Sequence, residues 1–196
     1  MSPPFLHAPY RYVLYAAYAV WAVPEVVDAV RREAADGPDF DAHSKHVLYV
    51  TIGVAVAVAI ELGLVAPAWA TFGVLAVPLF WLGVGLVLLG VGVRWYSVAV
   101  LADAFSRSVT VTESQGVVRT GPYAVVRHPS YTGSLLTFAG LGFALGTWVG
   151  LLVALGLVTA GYGYRIRIEE RVLRRELDGY ADYCADTPYR LVPGMY

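Results

Sequence analysis

Long charge-free runs alternate along this chain with short clusters of charge, and the runs have lengths set by a lipid bilayer. A helix rises about 1.5 Å per residue and a hydrocarbon core is about 30 Å thick, so a crossing needs about 20 apolar residues. Tyr12 to Val30 is the first candidate, interrupted near its end by Pro24, Glu25 and Asp28. Val47 to Ala66 carries one acid, Glu61, and Thr71 to Val93 carries no charge. Residues 129–164 are also free of charge, which is too long for one crossing and short for two. The middle of that run, Gly140-Leu141-Gly142-Phe143-Ala144-Leu145-Gly146-Thr147-Trp148, breaks it near Gly146 into two helices joined by a tight turn. Each half is short for a crossing, so both are expected to extend past the membrane face. The pattern predicts an all-α, polytopic membrane helix bundle of about five transmembrane helices, the last two a hairpin, followed by a C-terminal cytoplasmic helix.

Composition agrees. Of 196 residues, 58% are hydrophobic and 15% charged, with a mean hydropathy of +0.59. Soluble domains are about 45 to 50% apolar and about 25% charged. This chain has too little charge to cover a water-facing surface, and its apolar excess excludes disorder. A single cysteine, Cys184, excludes a disulfide scaffold, and the net charge of -1 gives no basic footprint for nucleic acid. The first run lacks a basic start and a small-residue cleavage site, so it reads as a true crossing and not as a secretory signal. Five crossings put the two ends of the chain on opposite sides. One side then holds 13 of the 14 basic residues, from Arg31 to Arg190, and the other only Arg11. The positive-inside rule places the N-terminus outside and the C-terminal half in the cytoplasm. With many Arg and Ala and almost no Lys, the expected location is a bacterial inner membrane. Residues 1–196 form one domain, with three spans in 1–93 and the polar chemistry in 94–196.

Two clusters could carry that chemistry. Gly121-Pro122-Tyr123 permits a turn, and Arg127-His128-Pro129-Ser130-Tyr131-Thr132-Gly133 follows where the chain re-enters the membrane. Pro129 suits the first turn of a helix, which would leave Arg127 and His128 at its electropositive start beside free backbone N–H groups. The same residues would also serve as an interfacial anchor. The second cluster, Arg165 to Glu176, is a charged helix in which Arg165 and Glu169, Glu170 and Arg174, and Arg171 and Arg175 lie at i and i+4. A solvated face laced with ion pairs has the same spacing. Because the two clusters sit at the same end of one hairpin, Arg127, His128, Arg165 and Glu169 are expected to converge.

Taken together, Gly-Pro-Tyr, Arg-His-Pro-Ser-Tyr-x-Gly, the charge-free hairpin, Arg165-Ile166-x-x-Glu169-Glu170-x-x-Leu173, then Tyr180, Tyr183 and Arg190-Leu191-Val192-Pro193-Gly194, resemble the isoprenylcysteine carboxyl methyltransferase family over roughly residues 94–196. The resemblance implies a membrane enzyme that transfers a methyl group from S-adenosyl-L-methionine to the carboxylate of a lipophilic substrate arriving from the bilayer. It implies a cofactor site at Gln115, Gly116, Val117, Val118, Tyr123, His128, Pro129, Ser130, Tyr131 and Glu169, and a substrate side at Arg165 with Arg127. Ala102-Asp103-Ala104-Phe105 and Leu177-Asp178-Gly179 depart from the family pattern, which leaves the substrate open. Related membrane methyltransferases act on phospholipid head-group amines. An amine needs a proton acceptor, and Glu170, Glu61 or Asp103 could serve. Membrane sterol reductases, which bind NADPH, share a His-Pro-x-Tyr-x-Gly run but tend to continue with Glu where this chain has Ser134.

Several other residues have simpler explanations. Glu61, within a span, either lines a substrate entrance or bonds a neighbouring helix. His43 and His46 flank Lys45 near Asp36, Asp39 and Asp41, without the tight spacing of a metal site, so no metal is expected. Gly83, Gly85, Gly90 and Gly92 suit close helix packing. The expected partners are bilayer lipids and a lipophilic substrate, with no obligate protein partner.

Overall fold

The computed structural model describes residues 3–35, 42–108 and 116–195, with side chains described outside 28–45 and 103–115. Gln115, Asp36, Asp39 and Asp41 lie outside the described residues, as do the side chains of Asp103, His43 and Lys45.

Five long helices and one short one make up the bundle: α1 (Tyr10–Ala35), α2 (Ala42–Val65), α3 (Ala76–Ser108), α4 (Pro129–Ala144), α5 (Trp148–Glu176) and α6 (Tyr180–Asp186). The described residues contain no strand. Among the described residues, three stretches are long and apolar enough to cross a membrane, His46–Val65, Gly73–Ala102 and Trp148–Glu176. The other two long helices fall short for different reasons. Polar residues interrupt α1, which nevertheless continues through Pro24. α4, with 16 residues, reaches only about 24 Å. Both hairpin halves were expected to extend past the membrane face. Instead α4 stops at both ends, at Pro129 and before Gly146, and α5 takes the whole extension.

The outer surface shows the oil that the composition implied. Val74 is 85% exposed, Val50 66% and Leu89 55%, and these side chains face outward from helices whose inner faces carry Ala, Gly and the few large core residues. An exterior this apolar is a lipid-facing one. Near one end, Trp69 and Trp148 pack with ring centroids 5.7 Å apart, and the Trp148 indole N–H donates to the Trp69 carbonyl at 3.0 Å, as suits a membrane-interface belt.

α4 packs on α3 and on α5, α2 on α5, and α1 on α3. Glycine sets the closest of these approaches. A Cβ on Gly83 would lie 2.5 Å from the Gly140 carbonyl oxygen, and a Cβ on Gly133 would lie 2.6 Å from that of Gly90. Backbone therefore meets backbone along the α3–α4 crossing. Gly85 and Gly92 face open space, so only half of the glycines expected to promote packing do so. The break at Gly146 is real: the residue adopts φ of 80°, and Thr147 caps α5 by accepting the Gly150 N–H at 2.8 Å.

α3 runs well beyond the expected end of its span at Val93. Arg94, the first charge, does not end the helix because its guanidinium is paired with the Glu25 carboxylate of α1, at 2.6 Å from Nη2 to Oε2. With that charge compensated, the apolar stretch continues to Ala102 and the helix itself to Ser108. The pair also explains how α1 tolerates an acid within its apolar run.

Candidate active site

Gly121 takes φ of 60°, and residues 121–124 form a single 3-10 turn that redirects the chain towards α4. α4 then begins at Pro129 with His128 as its N-cap residue. Several of the backbone N–H groups expected to be free at this point are bonded. Those of Arg127 and His128 donate to the carbonyls of Tyr189 and Arg190, both at 2.9 Å, and those of Tyr131 and Thr132 donate to the His128 carbonyl. The closing Arg-Leu-Val-Pro-Gly segment thus straps itself along the entry to α4, and the Thr132 hydroxyl donates to the Leu191 carbonyl at 2.6 Å.

The hairpin brings its two charged clusters side by side, but the four expected residues divide into two groups. Arg127 and His128 belong to the first. The Arg127 guanidinium is buried, and it donates to Glu170 Oε1 at 2.8 Å and to the carbonyls of Thr187 and Pro188 at 2.7 and 2.8 Å. Arg190 donates to Glu170 Oε2 at 3.0 Å, and the His128 ring nitrogen Nε2 lies 3.3 Å from Oε1. Glu170 is therefore the hub: a buried carboxylate held by two guanidinium groups and an imidazole. It turns inward, away from the exposed Arg174 with which helical spacing alone would pair it. Arg127, expected on the substrate side, thus has its Nε and Nη1 donors bonded within the fold.

In the second group Arg165 is buried and Glu169 opens outward. Arg165 Nε lies 3.9 Å from Glu169 Oε2, which accepts the Tyr131 hydroxyl at 2.8 Å. The Glu169 side chain is 33% exposed, the most open member of either group. Stacked rings join the two groups. The His128 and Tyr131 planes are 7° apart with centroids at 5.6 Å, and Tyr131 stacks on Tyr162 at 4.7 Å. The buried hub thereby fixes where the Tyr131 hydroxyl, and with it the Glu169 carboxylate, can sit.

The other candidates occupy supporting positions. Ser130 accepts a hydrogen bond from Arg94 at 2.8 Å, so it faces the Glu25–Arg94 pair. The Tyr123 hydroxyl donates to the Ser97 carbonyl at 3.3 Å, the Tyr183 hydroxyl donates to the Tyr123 carbonyl at 2.7 Å, and Arg119 covers the Tyr183 ring and binds Asp186. Burial pushes both phenols up to about 12. Gly116, Val117 and Val118 form an irregular segment leading into this lacing, with Gly116 exposed. Glu61 is exposed near the far end of α2, so it lines no entrance to this site. Spacing alone could not single out Glu170 or Arg190. The available signal was their place in the Glu-Glu pair and in the closing segment.

The described helices are apolar on their outer faces and carry, at one end of the hairpin, a buried carboxylate hub beside the Arg165–Tyr131–Glu169 group. The chain belongs to the phospholipid methyltransferase family, whose model matches residues 78–178, just over half its length, from early α3 to beyond α5. These are membrane methyltransferases of the isoprenylcysteine carboxyl methyltransferase type. The chain is also 33% identical over 110 residues to the nickel-cobalt-cadmium resistance protein NccN of Alcaligenes xylosoxydans xylosoxydans, a match covering 55% of this chain and 50% of that protein. The match thus spans about half the length of the curated relative.

Proposed function

We propose that the protein transfers a methyl group from S-adenosyl-L-methionine to the carboxylate of a lipophilic, isoprenylcysteine-like substrate at the cytoplasmic face of the membrane. The observation that carries this reading is the Arg165–Tyr131–Glu169 group, half-open at one end of an apolar hairpin. An ionised carboxylate, with an ordinary pKa near 4, is already a nucleophile at neutral pH and requires no base. It requires a cation to hold it, and Arg165 is a guanidinium within the apolar bundle beside that opening. S-adenosyl-L-methionine, when bound, supplies an electrophilic methyl group. The donor set fits such a polar ligand: Glu169 offers carboxylate lone pairs for hydroxyl or ammonium groups, and residues 116–118 offer irregular backbone near the turn. His128 and Tyr131 keep Glu169 in place through their stack, and the surrounding apolar surface excludes water, so alignment and desolvation are the main contributions of the protein.

Methylation of a phospholipid head-group amine is the second reading, favoured by the description of the matching family. An amine would need a proton acceptor. Glu170 is committed to Arg127, Arg190 and His128, and Glu61 lies at the opposite end, which leaves Glu169 as the described acid suited to that role. Incubating membranes with labelled methyl donor and fractionated lipids, then treating with mild base, separates the two readings: esters release methanol and N-methyl groups stay in place. Loss of transfer on the order of a hundredfold is expected for Arg165→Ala and for Glu169→Ala. Full activity in both would overturn the assignment. Thermal stabilisation by S-adenosylhomocysteine and not by NADPH would exclude the reductase alternative.

A further inference from the structure

At the end of the bundle opposite the candidate active site, a cavity of about 550 Å³ lies among the start of α1, the end of α2, the end of α4 and the start of α5. This volume falls within the range of about 300 to 1,000 Å³ found for small-molecule sites. Its existence follows from the packing. α1 rests on α3 and α2 rests on α5, while α1 and α2 scarcely touch among the described residues, so a gap separates these consecutive helices. Ala55, Ala59, Gly142 and Ala154 leave the gap's floor without side-chain bulk, and exposed Tyr15 and Leu64 stand at its mouth on the flank of the bundle, the side that faces hydrocarbon.

One lining residue is charged. Arg11, the lone basic residue near this end, lies over the Tyr12 ring at 5.1 Å, and its Nη2 donates to the Tyr12 hydroxyl at 3.3 Å. Its Nε–H is buried with no hydrogen-bond acceptor in the protein. A buried N–H without an acceptor is costly, and an anionic oxygen would satisfy it better than any neutral group.

We propose that this cavity binds one acyl chain of an anionic phospholipid, with the phosphodiester oxygen accepting from Arg11. The lateral opening admits a chain directly from the bilayer, the apolar floor holds it, and Arg11 selects head groups by charge. Along the line of α4, the cavity residue Phe138 stands about 10 Å from Tyr131 and Leu145 about 20 Å, so a head group held at Arg11 lies at the end of the bundle away from the Arg165–Tyr131–Glu169 group.

The test is lipid retention by the purified full-length chain, counted by native mass spectrometry after equilibration with equal amounts of phosphatidylglycerol and phosphatidylcholine. Wild-type protein is expected to retain phosphatidylglycerol preferentially. Arg11→Gln should lower that preference about fivefold, as loss of one interfacial cation implies, and Arg11→Lys should restore most of it. Ala59→Phe, which fills the floor, should reduce retention of both lipids. Equal retention of the two lipids by wild type, an unchanged preference in Arg11→Gln, or displacement of phospholipid by added palmitate would each overturn the proposal. None of these readouts depends on methyl transfer, so failure here and failure of the proposed activity are separable.

Discussion

Replacing Glu170 by Ala should unfold this protein more readily than any single change in its apolar exterior. The side chains of Glu170 and Arg127 are only 5% and 3% exposed, and the carboxylate also receives Arg190 and His128. Truncation to Ala would leave the Arg127 guanidinium buried against two backbone carbonyls with no counter-charge. Removing one partner of a buried ion pair costs about 3 to 5 kcal/mol, chiefly through the charge that is left behind. For a domain of this size about 1 kcal/mol corresponds to roughly 2 to 4 °C, so the melting temperature in detergent should fall by about 6 to 20 °C. The double variant Arg127→Met with Glu170→Leu should lose clearly less than the sum of its single changes, because it removes the charge together with its partner. A melting shift below about 2 °C for Glu170→Ala, or strict additivity in the cycle, would refute the description of Glu170 as the hub of the site.

Other expectations follow from particular contacts. Gly140→Leu should destabilise the α3–α4 crossing by at least about 1 to 3 kcal/mol, since even a Cβ there would meet the Gly83 carbonyl oxygen at 2.5 Å and the Val87 nitrogen at 2.6 Å; an unchanged melting temperature would contradict the backbone contact. Tyr131→Phe removes the hydroxyl that holds Glu169 but keeps the ring stack, so methyl transfer should fall about tenfold with little change in melting temperature. Tyr123 and Tyr183 ionise near 10 when unfolded and at about 12 when folded, so their contribution to stability is complete below pH 10 and is lost as the pH rises from 10 to 12. Phenolate absorbance and melting temperature across that interval, compared with Tyr183→Phe, measure it, and an unaltered profile in the variant would count against the burial. Arg94→Gln should lower stability by about 1.5 to 3 kcal/mol by unpairing Glu25, and an additional Glu25→Gln change should recover part of the loss.

The sequence by itself determined the solvent this chain folds in and the places where its helices turn. A charge-free run of 36 residues can only be a hairpin in a bilayer, and Gly146 is where a left-handed residue could break it. Proline before Ser130 likewise marked the start of α4, because proline suits a first helical turn, whose N–H groups have no partner within the helix. The family resemblance drew attention to the end of that hairpin where Glu170 and the Arg165–Tyr131–Glu169 group meet. What sequence could not supply was the pairing of charges. Helical spacing offers Glu169 and Glu170 equivalent partners on their own helix, yet Glu169 looks outward to Arg165 and Tyr131 while Glu170 turns inward to residues 43 and 20 positions away. Arg94 read as the end of a span because Glu25, 69 positions earlier, is invisible to any local pattern. The cavity beside Arg11 follows from the separation of α1 and α2, a property of how four helices share two neighbours. In an apolar medium an unpaired charge is so costly that long-range partners decide which way each polar side chain faces, and only the tertiary structure brings those partners together.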